Sequence, residues 1–446
     1  MIALIFSLIL VQPPASNGWT FDELIHVNGS NFKGLILAET NEGIRFQVVT
    51  RKPGRPTVTL TTIFSKEEIA KLNRLPDSER AVLKTRLSEL DPTGKGERER
   101  MQSLTLAPSP WLGRADAARK YESDYFTLVS NAPEEVTRRA AVRLELLFAA
   151  FRRYFPPANA NGRPTTIELS QTQAEYRALL GPLAPRLLNP AIYDPRANRI
   201  VCGSELLVLG ENLKATQIHH ERQRLEIDQY EADVRKLYKD QKVELDRFLA
   251  TAARQRQRIV VAEAANERAF ESATKQMFAV MYHETFHAYA ATFAFQDAPL
   301  PRWMNEGLAQ IFETAIVEAG ELHVGHADEP RLKVMREWLK PGGAGLMPLS
   351  ELVRTKSDAF LAQHADAKAH ADRAYLSSWA AAHYLLFHRA TIENDRFDAY
   401  LKSIKGGEDP IKAFERWQGK SINEIETDWR DYLNRLKPDG TLNPKN

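Results

Sequence analysis

From Glu211 to Ala298 the chain contains neither glycine nor proline, and Glu, Gln, Arg, Lys, Ala and Leu dominate. With no turn-former to interrupt it, a stretch of that composition folds as one or two long helices. Apolar residues at Leu225, Tyr230, Val234, Leu237, Val243, Leu245 and Phe248 recur at roughly heptad-like spacing. That spacing predicts a coiled-coil-like helical arm over residues 205–275, inserted before the functional part of the chain. Such an arm offers a surface for self-association or for a partner, although a solvated antiparallel hairpin packing on itself is the plainer expectation. Its His219-His220 pair lies on polar ground and is expected to face solvent.

The same stretch carries Met281-Tyr282-His283-Glu284-Thr285-Phe286-His287 near its end. Residues four apart on a helix project from nearly one face, so His283 and His287 can point two imidazoles at one Zn²⁺, with Glu284 one step round. The apolar flanks, Met277 to Met281 and Ala288 to Ala291, predict a buried helix, where uncoordinated imidazoles and a carboxylate would be costly. A structural zinc site would close all four positions with protein groups, mostly thiolates, and this chain has one cysteine, Cys202. A catalytic site needs three protein ligands. Glu306, in Pro301-Arg302-Trp303-Met304-Asn305-Glu306-Gly307, follows a turn at Asp297-Ala298-Pro299-Leu300-Pro301 and supplies the expected third.

These residues resemble the gluzincin metallopeptidases, the superfamily of thermolysin-like proteases and zinc aminopeptidases. The resemblance is nearest to the peptidase-MA-like domains of secreted bacterial proteins, with their Pro-x-Trp-x-x-Glu-Gly-x-Ala line, and covers about residues 122 to 435. It implies zinc-dependent hydrolysis of a peptide bond in a peptide or protein substrate, by a water that the metal activates and Glu284 deprotonates. It also implies an oxyanion-stabilising tyrosine, for which Tyr375 stands in the right region; the alternative is an ordinary aromatic on a helix face. Gln310, Asn305 and Glu313 are candidates for orienting the zinc histidines. The Gly-x-Met-x-Asn motif of the aminopeptidases is missing upstream, so the resemblance implies endopeptidase-like action. Gly343-Ala344-Gly345-Leu346-Met347 lies downstream and reads as a loop. The competing function is a catalytically silent zinc-fold scaffold working through its other surfaces, against which the intact Glu284 argues.

Other histidines stand outside this expectation. His323 and His326 are left out because Glu306 completes the set, and His383 and His388 read as ordinary residues of one helix.

Composition excludes several classes. Lys plus Arg number 60 against 58 for Asp plus Glu, a net charge of +2 that provides no field for nucleic acid. No segment is long and apolar enough for a stable membrane span. Residues 1–18 read as a signal peptide without a basic n-region, which predicts a secreted or periplasmic protein.

The expected fold class is α+β. Runs at 21–27, 32–38, 44–50 and 57–63 alternate with period two and are joined at turn residues, predicting a small SH3-like β-barrel within 19–90, completed by a helix from Lys66 to Leu90. Residues 91–121 read as a linker and 122–446 as the zinc-peptidase-like domain. Within it a helix is expected from Pro133 to Tyr154, a strand at Thr165 to Leu169 and a hairpin about Asp194-Pro195. The helix of Glu306 is expected to run to about Glu318, and further helices at 348–353 (capped by Ser350), 375–390, 395–405, 410–417 and 421–436.

Overall fold

The computed structural model describes residues 19–444 except 28, 40–42, 51–57, 89–94, 160–161, 182–190, 204–205, 319–320, 341–344, 357–359, 361–364, 393–394 and 439. The expected signal peptide, 1–18, lies outside the described residues. The chain is mixed α+β and divides into two units: Met1–Leu90 with Gly325–Glu329 and Arg435–Asn446, and Asp91–Val324 with Pro330–Asn434.

The first unit holds β1 (Asp22–His26), β2 (Asn31–Glu39), β3 (Gly43–Thr50), β4 (Val58–Ser65), β5 (Ile69–Asn73) and α1 (Asp77–Ser88). All five strands pair antiparallel in the order β4-β3-β2-β1-β5. Alternation sorts the side chains into two layers. Leu24, Ile44, Phe46 and Phe64 pack on one face, while Leu35 and Val49 pack against Leu83 and Leu87 of α1 on the other. The Asp22 carboxylate is fully buried and accepts from the Ile36 and Leu75 backbone N–H groups (2.9 and 2.8 Å) and from Arg80, tying sheet to helix.

Two expectations change here. Among the described residues no pairing joins β4 to β5, so the sheet is open where a closed SH3-like barrel was expected. The expected helix from Lys66 starts as a single 3₁₀ turn, Lys66–Glu68, and then becomes β5, because Ile69 to Asn73 gain a ladder with β1. Pairing with a ready partner outweighs the modest helix preference of Ala70-Lys71-Leu72.

The second unit opens with α2 (Lys95–Ser103), β6 (Ala107–Trp111) and β7 (Arg114–Glu122), so most of the expected linker 91–121 is structured. There follow β8 (Phe126–Ser130), α3 (Glu134–Tyr154), β9 (Thr165–Ser170), α4 (Gln173–Leu180), β10 (Ala191–Asp194), β11 (Arg199–Gly203), α5 (Leu207–Leu237) and α6 (Lys242–Tyr289). Then come α7 (Arg302–Glu313), β12 (Ile316–Glu318), β13 (Glu321–His323), α8 (Glu329–Leu339), α9 (Leu349–Leu352), α10 (Ala365–His383), α11 (Asp395–Lys405), α12 (Pro410–Gln418) and α13 (Ile422–Arg435). Strands β10-β11-β9-β8-β7-β6 form one sheet in that order, with β9 parallel to both its neighbours and β10 at an edge. The Glu306 helix stops at Glu313, short of Glu318, where Ile316–Glu318 pairs with β13 instead. Helix α9 is preceded by Pro348 and has no side-chain cap, so Ser350 does not play that part.

Helices α5 and α6 make the arm, but α6 does not end where the arm does. It runs unbroken for 48 residues, about 72 Å at helical rise, from the arm tip through His283 and His287. The seam between the two helices is made by Ile227, Ala252 and Ile259, with Val234 also buried. Leu225, Tyr230, Leu237 and Val243, expected at the seam, are exposed. Cross-helix ion pairs explain part of the offset: Arg256 bonds Asp228 and Glu231, and Arg224 bonds Glu263. Near the sheet the long helix is held to α2 and α3 by a buried ionic cluster. Arg139, with no exposed side chain, meets Glu97, Glu135 and Glu267, while Arg143 meets Glu97 and Glu271. No helix among the described residues is long and apolar enough to cross a membrane.

Candidate metal centre

Aromatic packing sets the end of α6 against α7. Phe286 stacks on Phe312 at 5.4 Å, and Phe151 of α3 meets the same Phe312 ring edge-on at 4.8 Å. On the other side α7 lies close against α10. A Cβ at Gly307 would stand 2.3 Å from the Ser378 carbonyl oxygen, so only glycine allows this approach one residue after Glu306.

The result is a convergence of side chains. The ligand atoms of His283, His287 and Glu306 all lie within 4.8 Å of one another. Nε2 of His283 is 3.3 Å from Glu306 Oε2, and Nε2 of His287 is 3.6 Å from Oε1. Glu306 is buried, yet neither of its carboxylate oxygens is in a hydrogen bond of sound geometry, although cationic and imidazole nitrogens stand close by. Two imidazoles and a carboxylate aimed at one point, with no fourth protein ligand among the described residues, suit a single cation of the zinc type with one position open.

Electrostatics agree with that donor set. Burial alone would strip the proton from His283, but Glu306 and Glu313 outweigh it and raise the imidazole to about 10. Burial and the neighbouring His283 push His287 down to about 4. For Glu306 burial pulls upward, yet the two histidines and Arg302 hold it at about 2. Carboxylates turned toward imidazoles in a dry site make a pocket that favours cations.

Of the expected orienting residues, Glu313 is the one that reaches a ligand. Its Oε2 lies 3.1 Å from His283 Nδ1, and Arg331 holds its other oxygen at 2.9 Å. With Nδ1 held by Glu313, Nε2, which faces Glu306, is the nitrogen left to meet a cation. Asn305 flanks His287. Gln310 instead donates to the Tyr375 carbonyl at 2.9 Å, joining α7 to α10, so its part is structural.

Glu284 accepts from the backbone N–H of Tyr193 on the edge strand β10 at 2.8 Å. Burial raises its carboxyl above the ordinary value, against the pull of His283 and of that N–H. Beyond Tyr193 opens a cavity of about 410 Å³ lined by Asn159, Arg163, Tyr193, Asn198, Thr292 and Gln296. Tyr375 is half-buried; burial raises its hydroxyl to about 12, and it stands near enough to Glu306, Arg302 and Glu284 to feel their charges.

Among the described residues the other histidines stay outside this cluster. His383 is buried with Nδ1 2.7 Å from the Tyr432 hydroxyl, and His388 stacks on the same ring. In the arm His219 is exposed as expected, whereas His220 is buried beside Glu263. Sequence reasoning missed Arg302, Arg331 and the Tyr193 backbone. Only Arg302 carried a signal, sitting one helical turn before Glu306 on the same face.

A family model described as a protein of unknown function (DUF1570) matches residues 277–405, well under half of the chain but including all three converging residues and Glu284. No curated protein and no solved structure matches.

Proposed function

We propose that the protein is a zinc-dependent peptidase of the gluzincin type, acting on peptide or protein substrates. The observation that carries the reading is the meeting of His283, His287 and Glu306 within 4.8 Å beside a half-buried carboxylate, Glu284. A scaffold built around a metal needs the three ligands but has no use for Glu284.

His283, His287 and Glu306 would hold one Zn²⁺, which when bound supplies Lewis acidity toward a carbonyl and acidifies a water. Glu284 takes the proton from that water and passes it to the leaving amine. Burial raises its carboxyl above the ordinary value, which makes it a better proton acceptor. The Tyr193 N–H fixes one Glu284 oxygen and leaves the other for this exchange. Tyr375, protonated at any physiological pH, donates to the oxygen on which charge develops. The edge of β10 offers backbone groups to an extended peptide, and the cavity beside Tyr193 has room for a side chain.

The test is reversible loss. Dialysis against a chelator should abolish cleavage of a mixed peptide library, and zinc added back should restore it. Cleavage that survives complete metal removal would contradict the proposal.

A further inference from the structure

Arg302 is the one charged group at the centre for which the reaction above has no use. It opens α7, and its Nη2 lies 2.5 Å from Oε1 of Glu306, a metal ligand on this reading. As a merely structural ion pair this is a poor choice. A guanidinium on a ligand carboxylate withdraws donor strength from it and repels the cation that the carboxylate is there to bind. The same helix shows the alternative at Glu313, which is not a ligand and carries its own arginine, Arg331.

The guanidinium is also presented outward. Its side chain is 38% exposed, whereas that of Glu306 beneath it is 1% exposed. Its carbon stands 5.8 Å from the ring centre of Phe360, which packs edge-on against Tyr375 at 5.1 Å. Arg302 reaches Tyr375 as well, so ring and hydroxyl steady the group at the border of the cleft. Glu306 and Tyr375 engage only part of its fork of five donors, and Nε is buried without an acceptor among the described residues. A dication held by two neutral imidazoles is balanced by the carboxylates of Glu306 and Glu284, and Glu313 by Arg331, so the charge of Arg302 is the one left over at the centre. An acidic ligand group is what neutralises that arrangement, and a guanidinium fork matches a carboxylate with two parallel hydrogen bonds.

We propose that Arg302 is the specificity residue of this centre and selects substrates bearing a carboxylate close to the bond cleaved, supplied either by an acidic side chain or by the C-terminus of the peptide. This rests on the peptidase reading above and adds the substrate class to it.

The experiment compares wild type with Arg302→Gln and Arg302→Lys on one peptide core in three forms: Asp or Glu beside the scissile bond with an amidated end, neutral with a free C-terminal carboxylate, and neutral and amidated. Zinc content is measured for each protein. Binding of the same peptides is measured by calorimetry on zinc-loaded Glu284→Gln, with and without Arg302→Gln. Wild type should favour one carboxylate form over the neutral amidated form by roughly 10- to 100-fold in kcat/KM, as for a lost hydrogen bond to a charged group. Arg302→Gln should collapse that ratio, Arg302→Lys should restore part of it, and the binding preference should follow the same order. Which carboxylate form is preferred identifies the source. An equal rate on all three forms by wild type, or a ratio unchanged in Arg302→Gln, overturns the proposal while leaving the peptidase reading standing. Zinc-loaded wild type that cleaves none of the peptides overturns both.

Discussion

Glu313 holds Nδ1 of His283 at 3.1 Å, and Arg331 holds Glu313 in turn, so the imidazole that begins the motif on α6 is oriented by a residue near the end of α7. The two helices are thereby registered through this histidine–carboxylate contact as well as through the Phe286–Phe312 stack. Replacing Glu313 by Gln keeps the shape and removes the charge. Zinc affinity should fall by roughly 10- to 100-fold, the usual cost of losing such a partner, while the folded protein keeps its helix content. Competition with a chromophoric chelator measures it; an unchanged affinity would show that Glu313 does not orient the ligand.

Glu284→Gln should retain zinc at wild-type affinity and lose peptide hydrolysis by at least roughly 10²- to 10⁴-fold, since only the proton transfer is removed. Steady-state rates alongside metal analysis decide it, and a variant that still cleaves at wild-type rate assigns the base elsewhere.

Tyr375→Phe separates chemistry from binding. With zinc content unchanged, kcat should drop by roughly 10²- to 10³-fold and KM should hardly move, as expected for a donor engaged in the transition state. A change in KM alone would make Tyr375 a wall of the cleft.

Gly307→Ala tests the close approach of α7 and α10. In an open helix alanine would add about 1 kcal/mol of stability, but here its Cβ meets the Ser378 carbonyl, and overpacking should win by about 1–3 kcal/mol. The thermal midpoint should therefore fall, and a rise would mean that the two helices part at no cost.

The buried ionic cluster gives the fold a pH dependence. Burial alone would raise the Glu97 carboxyl, but Arg143 and Arg139 beside it prevail and hold it below its ordinary value of 4.5. A carboxyl depressed in the folded state contributes stability above its unfolded pKa and loses it as pH falls through the folded one. Denaturant midpoints should thus be level near neutrality and fall once the pH drops below 4.5. Glu97→Gln should lower the neutral midpoint and flatten that fall; an equal acid slope in both proteins would place the dependence elsewhere.

The centre was more legible in the sequence than the fold around it. His283, Glu284 and His287 are bound by helical periodicity, and Glu306 follows after a short connection, so the four residues are close in sequence and the packing of Phe151, Phe286 and Phe312 has only to set two adjacent helices together. Strands of the two larger sheets are legible where side chains alternate, as at Ile44 to Thr50. What failed depends on partners distant in the chain. Ile69 to Asn73 is a strand only because β1 is beside it, and β6 and β7 fill a segment whose charge and prolines suggest a linker. In the arm the heptad-like spacing points to Leu225, Leu237 and Val243, which are exposed, while Val234 is buried and the seam uses Ile227, Ala252 and Ile259. The part of Arg302 is not legible in the sequence, because it depends on what the side chain touches, and an arginine at the start of a helix looks like any solvated charge.

The most direct test of the central claim is zinc per chain measured together with hydrolysis of a mixed peptide library, for wild type and Glu284→Gln. The account predicts one zinc in each protein and cleavage by the wild type alone. A folded wild type that binds no zinc, or that binds it and cleaves nothing, would contradict it.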